Sequence, residues 1–538
     1  MTTTFTLLPT RATYLPGEPI DLDVRGGSVV GEVVVRQLGD QIARLAHQGG
    51  QTVRLERLPE GRYAVELHGE HHVARTAVEV SSTPRSRLRY GFAVDFSPGR
   101  DSAALSDLLR RLHLTGVLFY DWAYRHADLL GGGDQYADAL GQPVDLATVM
   151  RLIEAVHDVG SHAIGYAAIY AVGPDEWEKW SHDALLRADG EPFALGDFLF
   201  IVDPAAPDWL AHLQRELVAA TRRLGFSGFH LDQFGYPKIA RRADGAVVRT
   251  SESFVRMIGG VREALPEAHL VFNNVNDFPT WATGSTPQDA VYIEPWQPVD
   301  TLGALAARAS RARSVADGKP VVFAAYQHVY DSAPAESADR ATALTMATLY
   351  SHGATQLLAG EGDRILVDPY YVRNHVVEPS TAELLVRWYD FLVEFDEVLM
   401  EPDLVDATAC LAREYNDDCD VTYPDVSTHD EAVTGGVWRR ITTVRNRLVV
   451  HLINLVDQPD ALWDAPRAPI AAVANGVLRI RCVAGARPRV RVVDPDRPGV
   501  VIEPVAALEG EHAQFTLPEL QIWQVVIIDL VDDRGATS

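Results

Sequence analysis

Apolar and polar positions alternate with a period of two through the first 85 residues. GEVVVRQ, QTVRLERL, GRYAVELHGE and HVARTAVEV are runs of this kind, broken by turn signals such as PGEP and PEGRY. Alternation turns one face of a strand to a core and the other to water. It predicts a small antiparallel β-sandwich of the immunoglobulin-like kind over residues 1–85.

From residue 86 the rhythm changes. Short continuous apolar runs now alternate with longer stretches of helical period. RYGFAVDFS precedes SAALSDLLRRLH, TGVLFYDW precedes DLATVMRLIEAVHDVG, and GFSGFHLDQFG precedes SESFVRMIGGVREALP. SHAIGYAAIYAVG, AHLVFNNVND, DAVYIEPWQ, KPVVFAAYQH and ATQLLAGEG complete a set of eight strand candidates, most of them followed by a helix. Unbroken apolar runs are what parallel strands buried on both faces require. Eight such units over residues 86–401 predict an α/β fold, a (β/α)8 TIM barrel. A doubly wound open sheet would want a glycine-rich nucleotide turn after its first strand, and AVDFSPGRD is not one. After residue 402 strands return, as in GGVWRRITTVR, NRLVVHLINLVD and LQIWQVVIIDL. A C-terminal all-β domain is expected over residues 402–538.

Composition narrows the choice of partner. The 538 residues carry a formal net charge of -26. That balance argues against nucleic acid or an anionic membrane surface as partner. The three cysteines, Cys410, Cys419 and Cys482, have neither disulfide nor zinc spacing and read as reduced thiols. His68, His71 and His72 near a turn read as surface residues. No basic stretch followed by an apolar run marks the N-terminus, and no apolar window is long enough to span a membrane, so a cytoplasmic protein is expected. The sequence says nothing of oligomeric state.

The active site of a TIM barrel lies at the C-terminal ends of its strands. Read in order, those ends offer Asp95; Tyr120, Asp121 and Trp122; Tyr170; His230 and Asp232; Asn273, Asn274 and Asn276; Glu294 and Trp296; Gln327 and His328; and Glu361. Carboxylates, amides and aromatics dominate this ring. Phosphate-binding glycines and a metal-ligand set are missing from it, and neither metal nor cofactor is expected. Such a ring suits a neutral, hydroxyl-rich ligand: aromatic faces stack on sugar C–H surfaces, while carboxylates and amides hold hydroxyls.

An aspartate ending a central strand is costly to bury without partners or work. Glycosidic cleavage uses two carboxyl groups, one as acid and one as nucleophile or base. Asp232 and Glu294, on the fourth and sixth strands, form one such pair. Asp95 and Asp121 are rivals that position alone does not rank.

Taken together, YGFAVDFS, HLTGVLFYDWAYRH, GYAAIYA, GFHLDQFG, FNNVND and YIEPW resemble glycoside hydrolase family 66, the family of dextranases and cycloisomaltooligosaccharide glucanotransferases. The resemblance runs in order from about residue 88 to 400. It implies a retaining mechanism on α-1,6-linked glucan, with Asp232 as nucleophile and Glu294 as acid/base. It also implies sugar contacts from Asp121, Trp122, Tyr170, His230, Asn273 and Trp296. Three departures stand out. There is no room for a carbohydrate-binding insertion in the barrel. Pro279 and Pro295 stand where other residues are expected. The missing signal pattern suggests short or cyclic imported isomaltooligosaccharides. Hydrolysis competes with transglycosylation, and a non-catalytic glucan-binding protein is a third reading.

Overall fold

The computed structural model describes residues 5–412, 416–482 and 488–529. Its centre is a mixed sheet whose parallel strands are β1 (Tyr90–Ala93), β2 (Gly116–Phe119), β3 (His162–Ala168), β4 (Gly228–Asp232), β5 (His269–Val275), β6 (Ala290–Glu294) and β7 (Val321–Phe323). They pair in sequence order, each with the next. The run ends on one interrupted segment. Its first piece, β8 (Thr355–Gln356), pairs with β7, and its second, β9 (Ala359–Gly360), pairs with β1. Both edges of the parallel run are therefore bonded to residues 355–360. The backbone groups that an open sheet would leave unpaired are satisfied there.

Helices return the chain between strands. They are α1 (Ala103–Arg111), α2 (Leu146–Asp158), α3 (Pro207–Leu224), α4 (Thr250–Ala264), α5 (Leu302–Val315), α6 (Ala335–Ser351) and α7 (Pro379–Glu394). Only the short helix Thr280–Thr283 separates β5 from β6. The apolar runs read from the sequence are these strands: Tyr90, Phe92, Phe119, Ile164, Phe229, Leu270 and Val322 are buried in one continuous core. Gly228 opens β4 because β5 crowds it. A Cβ there would sit 2.0 Å from the His269 carbonyl oxygen.

Before this sheet lie two small antiparallel sheets. One joins Thr6–Pro9, Ile20–Arg25 and Thr52–Leu55; the other joins Val30–Gln37, Asp40–Gln48, Gly61–His68 and Val73–Val80. Leu22, Val33 and Val65 fill the core between them. Buried ions fasten this part to the underside of the central sheet. Glu79 accepts from Arg62 at 2.6 Å and from Arg89 at 2.5 Å. Arg87 pairs with Asp396 and Glu401 beyond α7. Burial would lift the Glu79 carboxyl, but the two guanidinium groups override it and hold it well below the usual carboxylate range.

After the central sheet come two more. Val437–Val444, Arg447–Asn454, Trp523–Asp529 and Arg489–Val493 build one; Cys419–Thr422, Val477–Arg481, His512–Thr516 and Ala506–Glu509 build the other. A segment around Trp463 leaves these sheets and lies on the loops beyond β6 and β7. Trp463 Nε1 donates to the Val299 carbonyl at 2.8 Å, and Leu302 N donates to Ala461. Asp464 receives the Val329 amide and pairs with His328, each at 2.9 Å. Among the described residues no helix is long and apolar enough to cross a membrane.

Candidate active site

A cavity of about 370 Å³ opens at the C-terminal ends of the parallel strands, a size that suits a small ligand. Asp121, His230, Asp232, Asn273, Glu294 and Trp296 line it, with Tyr120, Tyr166, Tyr292, Tyr326 and Tyr371.

Asp232 is the last residue of β4, and Glu294 is the last of β6. Asn273 of β5 stands between them. Its Nδ2 donates to Asp232 Oδ1 at 2.7 Å and to Glu294 Oε2 at 3.3 Å. Those two oxygens are thus no farther apart than the two bonds laid end to end, about 6.0 Å. Each carboxyl has a phenol on its other oxygen. Tyr166 donates to Asp232 Oδ2 at 2.7 Å, and Tyr326 donates to Glu294 Oε1 at 2.5 Å. The result is one chain of donors and acceptors from β3 to the loop beyond β7.

Burial pushes the Asp232 carboxyl up, and the Glu294 charge pushes the same way; Asn273, Tyr166 and the Gln233 amide pull against both. Glu294 is likewise raised by burial, against donation from Tyr326, Asn273 and Trp296. Two raised carboxyls this close retain one proton between them across a span of pH in which isolated carboxylates would both be ionised.

The turn after Asp232 is held firmly. Gly235 adopts a φ of 78°, open to glycine without strain. Gln233 is buried, donates to the Asn273 and Phe278 carbonyls and accepts from Gly235 N. Beneath the carboxyls lies an aromatic floor. Tyr371 stacks on Tyr120 with centroids 4.3 Å apart, and His230 meets Tyr292 edge-on at 4.6 Å. Burial pushes His230 down to about 3, so its imidazole is neutral. Asp121, at a φ of 49°, is raised well above the usual carboxylate range by burial, then by Asp138 and Asp232.

The profile of glycosyl hydrolase family 66 matches residues 11–527. The chain belongs to this family. A cycloisomaltooligosaccharide glucanotransferase of Niallia circulans is 26% identical over 328 residues, 54% of this chain and 33% of the relative. A dextranase of Streptococcus salivarius is 23% identical over 411 residues, 65% of this chain and 49% of the relative. These alignments therefore reach only a third to a half of the relatives' length. Among solved structures, a Paenibacillus cycloisomaltooligosaccharide glucanotransferase in complex with cycloisomaltoheptaose superposes with a TM-score of 0.87 at 18% identity. It covers 97% of this chain and 99% of that one, a likeness of fold.

Within this family 66 chain, two residues expected at the sugar stand behind the cavity wall instead. Trp122 is fully buried, and its Nε1 donates to the Tyr166 carbonyl at 3.1 Å. Tyr170 is fully buried too. Its hydroxyl donates to the Tyr236 carbonyl at 2.7 Å and accepts from Phe234 N at 2.8 Å, fastening the loop that follows Asp232. Both side chains are spent on backbone groups.

The other strand-end candidates have structural partners as well. Asp95 is exposed and receives the Ser97 amide. Glu361 accepts from the backbone amides of Val94 and Asp95 and pairs with Arg100, so it links β9 to the end of β1. Asn274 is enclosed by Thr283, Phe272 and Tyr292; Asn276 donates to Gln297. Gln327 is buried against Thr342, and His328 faces Asp464.

Tyr166, Tyr326 and Tyr371 escaped the sequence reading. Tyr166 pairs with His230 in the β3–β4 register, two positions before the end of β3, so a correct strand end would have pointed to it. Tyr326 sits just past the three-residue β7. Tyr371 arrives from the hairpin of Arg364–Leu366 and Asn374–Val376, for which the sequence offered no signal.

Proposed function

We propose that this chain is a retaining enzyme acting on α-1,6-glucosidic bonds of dextran-like or isomaltooligosaccharide substrates, linear or cyclic. Asp232 attacks the anomeric carbon and forms a β-glucosyl ester. Glu294 delivers its proton to the departing oxygen. In the second half, Glu294 takes a proton from water, which attacks the same carbon and releases Asp232. The fold that carries this is read as a closed (β/α)8 barrel over residues 86–401, between β-domains over residues 1–85 and 402–538.

One observation carries the reading: a single amide reaches both carboxyls, so their facing oxygens lie within about 6.0 Å. Retaining enzymes hold their carboxyls about 5–5.5 Å apart, and inverting ones need roughly 6.5–9.5 Å to admit a water. The names of the relatives supply the substrate class. Transfer to a sugar hydroxyl is the second reading, favoured by an open cavity of about 380 Å³ beside Trp296 that could seat an acceptor.

Incubation with dextran, linear isomaltooligosaccharides and cyclic isomaltooligosaccharides, with chromatography of the products, separates chain cleavage, ring opening and transfer. Asp232→Ala and Glu294→Ala should each lose several orders of magnitude in turnover, given that general acid catalysis alone contributes ~10²–10⁴-fold. With Asp232→Gly, an α-glucosyl fluoride donor and azide should yield a β-glucosyl azide. An α-azide, or near-normal turnover of Asp232→Ala, would overturn the assignment.

A further inference from the structure

The Glu294 carboxyl is asymmetrically held. Tyr326 donates to Oε1 at 2.5 Å, while Asn273 reaches Oε2 at 3.3 Å and favours Asp232 at 2.7 Å. We propose that Tyr326 is the positioning residue of the acid/base: its hydroxyl occupies Oε1, so the exchangeable proton stands on Oε2, the oxygen that shares the Asn273 amide with Asp232. This rests on the reading of Glu294 given above. An O–H donor fixed on one oxygen leaves the other as the place for the acidic hydrogen. When that proton departs, the same bond strengthens onto the new carboxylate, where charge-assisted hydrogen bonds are worth about twice neutral ones.

Tyr326 is built to keep this address. It is 3% exposed. Its backbone neighbours are pinned from two sides: Gln356 Nε2 donates to the Ala325 carbonyl at 2.7 Å, and Gln327 N donates to Leu366 at 3.1 Å. Its ring lies 5.9 Å from Trp296 and 6.4 Å from Tyr371. The titratable groups facing Glu294 are Asp232 from β4, Tyr120 beyond β2, Tyr292 of β6 itself and Tyr371 from the hairpin. Burial holds all three phenols above their ordinary range, so they stay neutral. His230, behind Tyr292, is neutral too, and His328, on the far side of Tyr326, is raised by its bond to Asp464. Asp232 is then the neighbour that shares titration with Glu294, and Tyr326 acts on one member of the pair.

The test is the pH profile of kcat/KM on a linear isomaltooligosaccharide for wild type, Tyr326→Phe and Tyr326→3-fluorotyrosine. Loss of the donor should raise the alkaline limb by about one pH unit and lower kcat about tenfold. The fluorinated phenol, a stronger donor, should move the limb the opposite way and keeps the proposal testable if Tyr326→Phe folds poorly. An α-isomaltosyl fluoride needs little protonation of its leaving group, so Tyr326→Phe should spare it. An unmoved limb, with both substrates slowed equally, would make Tyr326 mere packing. Glu294→Gln is the control: if it shows no preference for the fluoride, the acid/base reading itself fails, whatever Tyr326 does.

Discussion

Removing the Asn273 amide tests the bridge directly. In the proposed mechanism the net charge on the carboxyl pair stays near minus one over the first half-reaction, moving from Asp232 to Glu294. The amide serves the charge at both ends, with the shorter bond to Asp232 at 2.7 Å and the longer to Glu294 at 3.3 Å. A hydrogen bond to a charged group contributes about 1.5–3 kcal/mol. At about 1.4 kcal/mol per tenfold, Asn273→Ala should lower kcat/KM by ~10–150-fold. A water entering the vacated space would place the loss at the lower end. Asn273→Asp keeps the shape but puts a third carboxyl in the gap, so it should lose more than the alanine variant and move the optimum. The assay is the initial rate on isomaltooligosaccharides across the pH range, with thermal melts to verify folding. Asn273→Ala within about threefold of wild type, well under one decade of rate, would refute the bridging argument. So would an aspartate variant no worse than alanine.

Three further outcomes are expected. Tyr170→Phe should destabilise by about 1–3 kcal/mol in urea titration, because the Tyr236 carbonyl and Phe234 amide lose their partner, with KM little changed; a large KM effect would restore it to the sugar. Glu79→Gln should cost about 3–5 kcal/mol, since Arg89 would keep a buried charge without its counter-ion and Arg62 would be left with Asp396 at 3.5 Å; an unchanged melting temperature would contradict this. Burial, then Arg440, holds the His451 imidazole down at about 3. The unfolded chain therefore binds the extra proton as pH falls below about 6.5, and stability drops by up to about 1.4 kcal/mol per unit until the folded group titrates. His126, His162, His230, His269 and His352 are lowered by burial as well, so His451→Leu should make that part of the stability–pH curve shallower without removing it; equal slopes would argue against a buried neutral ring at 451.

That Asp232 and Glu294 meet in one cavity was foreshadowed by GFHLD and YIE, apolar runs that stop on an acid; FAVD and LFYD do the same, so the pattern left Asp95 and Asp121 as rivals and only the family resemblance chose between them. Tyr170 was placed at the sugar because its strand was read too long. The apolar run through AIYAV continues past the true end of β3, where Ile169 N turns to the Asp232 carbonyl and Ala171–Val172 joins Leu199–Ile201 in a separate small sheet. Hydrophobic period cannot report where pairing partners change. Tyr371 was hidden more deeply, because its approach to Tyr292 depends on a tertiary excursion after β9.

The Trp463–Asp464 contact bears on how the molecule can be cut. The loops it grips are those that follow Glu294 and Tyr326. A shortened protein stopping after α7 would lose the strut on the loops that follow Glu294, the proposed proton donor, and Tyr326, so it should emerge folded in places yet catalytically slack. On the proposed mechanism the trailing β-sheets brace the loops next to the acid, so swapping them for those of a relative should alter activity as well as stability.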